Sequence, residues 1–186
     1  MLTEDYIMRM INQVLALFLQ ALGLKKAGQF REALQVFDQA VESLLGLRAS
    51  LANQLEDRNL LAMLTFQGKL DVDRLLVLAD IYREEGEVHA LQGQPEQSQF
   101  AAQRSLRLYL EAALATEANP GLELVQKIEA QRSSLSAPDL PTETRLALLD
   151  YFDRLLASGE DFLASAGLSR PDLQAALASL DTPDLH

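Results

Sequence analysis

Residues 23–44 read GLKKAGQFREALQVFDQAVESL, and the spacing inside this stretch decides the fold. Gly28 sits between two helical patterns. Ahead of it, Ile7, Ile11, Val14, Leu15, Phe18 and Leu22 recur at helical spacing. Behind it, Phe30, Leu34, Phe37, Val41, Leu44 and Leu45 do the same, until Gly46 stops the run. One or two residues between two helices force them to lie antiparallel as a hairpin. Ala33 and Ala40 flank Phe37 on the second helix, so two small positions let the backbones approach while the aromatic ring fills the space between.

Gly28, Phe30, Ala33, Phe37 and Ala40 together resemble a tetratricopeptide repeat: a turn glycine, an aromatic after it, then small, large and small positions along the second helix. A weaker copy spans Ala79–Leu110. There Gly86 takes the small position of a first helix and Gly93 the turn glycine, 65 residues after Gly28. Ser98 and Ser105 keep the size requirement, while Pro95 and Ala102 depart from the aromatic and large positions. The opening TEDYIMRMI followed by this hairpin is also similar to a small bacterial family of tetratricopeptide-like proteins with no activity attached to it. The resemblance implies an all-α fold of antiparallel hairpins stacked as a tetratricopeptide-like right-handed superhelix or bundle, with about eight helices.

Outward from the hairpin the helical pattern continues. Thr3 reads as the N-cap of the first helix. Ser50–Phe66 is a weaker helix that Asp57 or Asn59 could interrupt, and Gly68 and Asp71 mark a turn and the next cap. Helices then follow over 73–91 and 96–116. Asn119-Pro120 reads as a cap with proline at the first helical position, opening a helix over 120–132. Residues 133–141 (SSLSAPDLP) are the one linker-like segment. Helices started by Thr142, Phe162 and Ser169-Arg170-Pro171 end the chain, with a frayed tail from Asp181. No alternating β-branched run predicts a strand. The organisation expected is one all-helical domain over 1–186, with a repeat-like core at 1–118 and additional helices over 119–186.

Composition narrows function. Against 27 Asp plus Glu there are only 16 Lys plus Arg, a net charge of −11. That is the opposite of the basic footprint that nucleic acid or an anionic bilayer requires. With no cysteine there is no disulfide framework, thiolate metal site or cysteine nucleophile. The acidic N-terminus does not read as a signal peptide. Apolar stretches are short and interrupted by Gln, Arg or Asp, so none is expected to cross a membrane. The expected location is cytoplasmic.

Chemistry-bearing patterns are sparse. The two histidines are His89 and His186. Glu85 and His89 share a helix face as half of a metal site at most, and Asp80, Glu84 and Glu87 read as a solvated acidic face. No nucleophile elbow or phosphate-binding glycine loop occurs. No catalytic, metal or cofactor-binding residue is assigned, and no cofactor is expected. Tyr82, Phe100 and Tyr109 fall at helical spacing and read as core. The partner-facing candidates are Asp5, Tyr6 and Arg9 at the N-terminus, the basic pair Lys25 and Lys26, and Arg83 and Glu87. These last two occupy positions that carry a carboxylate clamp in some tetratricopeptide modules, but without its Lys–Asn pair. The expected partner is a protein or peptide held in a groove between hairpins. One alternative is a homo-oligomer with the apolar first helix at its interface; another is a metal-dependent enzyme using acidic helix faces.

Overall fold

A computed structural model describes residues 2–180, with side chains from Asp5 onward. The chain is all-α, and ten α-helices lie among the described residues. It divides into two compact units, with the boundary after Ser105.

In the first unit, α1 (Leu2–Lys26) and α2 (Phe30–Leu45) form the predicted hairpin. Gly28 takes a left-handed φ of +74°. That conformation lets its N–H reach the Lys25 carbonyl (3.0 Å) and the Gln29 N–H reach that of Leu24 (2.9 Å), so the last carbonyls of α1 are satisfied. Val14 and Ala21 on α1 are fully buried, as are Ala33, Phe37 and Ala40 on α2. Phe18 meets Phe37 with ring centroids 6.0 Å apart.

The first unit repeats this device. Helix α5 (Val72–Leu91) is followed by α6 (Pro95–Leu114), within which the unit boundary falls. Gly93 has φ +70°, its N–H bonds the Ala90 carbonyl (3.0 Å), and the Gln94 N–H bonds that of His89 (2.9 Å). The two turns thus have the same hydrogen-bond pattern. Gly86 marks a close approach of α5 and α6. A Cβ there would lie 3.3 Å from the Ser98 carbonyl oxygen and 3.5 Å from the Ala102 nitrogen. About two turns away along α5, the Ser105 hydroxyl donates to the Ala79 carbonyl (2.8 Å).

The segment between the hairpins is interrupted where the sequence allows it, ahead of Asp57. It forms α3 (Ala49–Ala52) and α4 (Asp57–Met63). Against expectation, Thr65–Phe66 and Lys69–Leu70 then pair as a two-residue antiparallel hairpin, β1 and β2. Gln67 and Gly68 supply the positive φ angles of its turn. A ladder this short carries no alternation for a sequence pattern to reveal. Asp71 does cap α5, accepting from the Arg74 N–H at 3.1 Å.

The second unit contains the rest of α6, α7 (Leu122–Ser133), α8 (Thr142–Ala157), α9 (Glu160–Ser165) and α10 (Arg170–Leu180). Its core includes Val125, Ile128, Leu148, Tyr151, Phe152 and Leu163. Helix α7 starts at Leu122 with Gly121 as its cap, later than the expected Asn119-Pro120 start. The Asn119 side chain instead accepts from the Ser158 hydroxyl (2.9 Å), and Pro120 is buried. Residues 133–141 are not a free linker either. Ala137–Asp139 make a 3-10 turn, and Leu140 is buried beside a small apolar pocket that Leu148, Phe152 and Leu180 also line.

Two further expectations change at the N-terminus. Helix α1 already includes Leu2, so Thr3 lies within it and does not cap it. Asp5–Lys26 is long and apolar enough to cross a membrane by length and composition alone, contrary to expectation. Its Asn and Gln residues interrupt the apolar run without adding charge. The tail from Asp181, including His186, lies outside the described residues.

The close contact at Gly86 makes a prediction. Gly86→Leu should destabilise the fold by roughly 2–3 kcal/mol, because a side chain there must push Ser98 and Ala102 backbone aside. Gly121→Ala, where a Cβ meets nothing within 4 Å, should be close to neutral. Urea unfolding followed by circular dichroism measures both.

Candidate functional site

The surface of α1 brings together the N-terminal residues singled out from the sequence. Tyr6 is 65% exposed and Arg9 is also exposed. The Arg9 Nε donates to the Asp5 carbonyl at 3.2 Å. Tyr6, Arg9, Met10 and Gln13 line a shallow depression together with Ser43 near the end of α2. Because α2 runs antiparallel to α1, its C-terminal turn meets the N-terminal turns of α1. Tyr6 faces solvent.

The other flank of α1 is apolar and open. Met8 is 58% exposed, Leu15 39% and Leu19 67%, with Ile11 and Leu22 half-buried between them. At 100° per residue these five fall in one stripe, offset from the Val14–Ala21 face that packs against the unit's interior.

The remaining partner candidates are largely engaged inside the first unit. Lys25 pairs with Glu84 at 2.6 Å and with Glu87, and Arg83 pairs with Glu84 at 2.7 Å. Burial opposes the charge on the Lys25 amine, but its hydrogen bonds to Glu84 and Glu87 outweigh that and raise its pKa. Burial likewise pushes Glu84 upward, and the bonds from Lys25 and Arg83 reverse it, so Glu84 stays ionised. The expected basic spot thus reduces to exposed Lys26. The acidic face of α5 is not uniformly solvated, because Glu84 is buried.

Glu85 is the most perturbed group in this unit. It is buried, and its pKa rises to about 8, chiefly through loss of water and then through repulsion from Asp38 on α2; Arg104 on α6 offsets part of this. Asp38 is also raised, by burial and by Glu42, with His89 opposing. His89 makes its contact through Nδ1 to the Gln94 side-chain oxygen, at 2.7 Å. Among the described residues no group of three or more His, Asp or Glu side chains is placed to hold a metal ion.

Arg104 is the polar residue that sequence reasoning missed. It is buried, and its guanidinium donates to Asp57 Oδ1 (3.1 Å), to the Ala52 carbonyl (2.9 Å) and to the Leu55 carbonyl. It also stacks over Phe100 (4.8 Å) and Tyr82 (5.5 Å). The Tyr82 hydroxyl donates to Asn53 Oδ1 (2.9 Å). This one side chain fastens α3 and α4 to the α5–α6 pair. Phe100 is therefore not a core residue as expected. It is 42% exposed and lies under the guanidinium, whereas Tyr82 and Tyr109 are buried.

The Glu85 environment predicts a pH dependence. Between the ordinary glutamate range and about pH 8, the folded chain keeps a proton that the unfolded chain has released. Stability must then fall as pH rises through that window. Asp38 acts in the same direction. Urea midpoints should drop from pH 6 to pH 9 by an amount worth on the order of a few kcal/mol. Glu85→Gln should flatten the profile and be the more stable chain at pH 9.

No protein-family model, no curated protein and no solved structure matches the chain.

Proposed function

We propose that the chain is a tetratricopeptide-like, protein-binding scaffold whose recognition surface is α1, a binding role and not a catalytic one. The observation that carries this reading is the exposure of Tyr6 on one flank of α1 and of Met8, Leu15 and Leu19 on the other, on a helix whose Val14–Ala21 face is buried. Scattered exposed apolar residues need no explanation, but several along one helix mark an interaction surface. Tyr and Arg, which together rim the depression at Tyr6 and Arg9, are residue types that dominate binding energy. The repeat assignment is supported by the matched turns at Gly28 and Gly93 and by the small residues at Ala21, Ala33, Ala40, Gly86 and Ser105. The ligand class is a protein or peptide, since the depression is open to solvent and lies on an exposed helix.

Paired affinity capture tests the proposal. The immobilised full chain should retain a defined protein partner, and Tyr6→Ala combined with Arg9→Ala should weaken that retention by roughly tenfold or more. Both side chains are exposed, so thermal unfolding of the variant should match the original. Equal recovery by the two chains would remove Tyr6 and Arg9 from the recognition surface.

A further inference from the structure

The open stripe on α1 has an internal order that a general binding face does not require. Met8, Ile11, Leu15, Leu19 and Leu22 follow one another at steps of three, four, four and three, so the stripe reads the same from either end. Its centre is Leu15. One turn beyond Met8 lies Asp5, and one turn beyond Leu22 lies Lys26; both are exposed. Between Arg9 and Lys25 the helix carries no charge, although the chain as a whole carries −11.

Two-fold contacts must be reciprocal: if residue i meets j of the partner, j meets i. A stripe symmetric about its own midpoint meets this condition when two copies lie antiparallel. Opposed this way about Leu15, Met8 faces Leu22, Ile11 faces Leu19, and Leu15 faces itself. The same alignment sets Asp5 of one copy near Lys26 of the other at both ends, and opposes the two helix dipoles. A parallel pairing would instead put Asp5 near Asp5 and Lys26 near Lys26. We infer that α1 pairs antiparallel with α1 of a second copy of this chain, about a two-fold axis at Leu15, to form a homodimer.

The other occupant with the right polarity is a lipid bilayer. It is disfavoured by the exposed Asn12 and Gln20 in the middle of the helix, by the burial of Val14 and Ala21, and by a net charge that anionic headgroups repel.

The chain has no cysteine, so introduced thiols report geometry cleanly. Light scattering coupled to size exclusion at about 20 µM should give twice the 20.6 kDa chain mass. Leu15→Glu combined with Leu19→Glu should give a monomer with an unchanged circular dichroism spectrum. Under mild oxidation, Leu15→Cys should cross-link to itself, Met8→Cys alone should not, and Met8→Cys with Leu22→Cys in one chain should. Asp5→Lys or Lys26→Asp alone should weaken association by about three- to tenfold at low salt, and the two together should restore it. A monomer in the unmodified chain overturns the dimer. Met8→Cys cross-linking as well as Leu15→Cys overturns the antiparallel register. Monomers that float with phosphatidylglycerol vesicles overturn the choice of occupant. A monomer that still captures a foreign protein through Tyr6 and Arg9 refutes the dimer while leaving the proposed binding function intact.

Discussion

Two helix backbones come within van der Waals reach only where neither places a side chain between them. In the first unit that place is Gly86, whose missing Cβ leaves room for the Ser98 carbonyl and the Ala102 nitrogen. Much else follows from this contact. It brings Ser105 close enough to bond the Ala79 carbonyl. It sets α6 so that Arg104 reaches the carbonyls of Ala52 and Leu55. Those bonds in turn satisfy backbone acceptors that short helices such as α3 leave open. The loosely patterned region from Ala49 to Leu64 is held by this guanidinium together with the buried Leu60 and Leu64.

Buried charge in this unit is of two kinds, and the difference is physical. Glu84 lost water but gained Lys25 and Arg83, so its carboxylate stays ionised and links the end of α1 to α5. Glu85, the next residue, lost water and gained Asp38 as its near neighbour, so its neutral form is favoured to about pH 8. Adjacent positions on a helix point 100° apart, which is enough to give two identical side chains opposite behaviour. Breaking the Lys25 contacts would strand Glu84 as a buried charge without its main partner, a change of the kind that costs more than the pair itself contributes.

The parts of this fold that were legible in the sequence are those governed by local rules. Turn glycines that need positive φ, such as Gly28 and Gly93, and apolar residues at steps of three and four announce themselves within a few positions. The errors fall where distant partners decide. Asn119 resembles a helix cap, but Ser158 claims its side chain. Residues 133–141 have linker composition, but Leu140 has a pocket to fill. Glu84 reads as part of a solvated acidic face, and Glu85 as half of a metal site beside His89, until Lys25 and Asp38 arrive from other helices. The candidate surface was partly readable for the same reason. Tyr6 and Arg9 lie at an open end of α1, whereas Lys25 was already committed to Glu84 and Glu87, 59 and 62 residues further along.

The apolar stripe of α1 follows a different logic from the core. Leu19 is 67% exposed and Leu15 39%, so folding leaves much of their apolar surface in water. Polar residues at these two positions would serve α1 equally well in an isolated chain, and with less tendency to aggregate. Helix propensity does not demand leucine there either, since Glu, Gln, Lys and Arg are nearly as good. The packing of α1 on α2 is secured by Val14, Phe18 and Ala21 on a separate face. The exposed part of the stripe therefore has little structural task inside one chain. Its apolar character contributes free energy only when something covers it, and its mirror order about Leu15 suits a covering surface that is the same stripe running the other way.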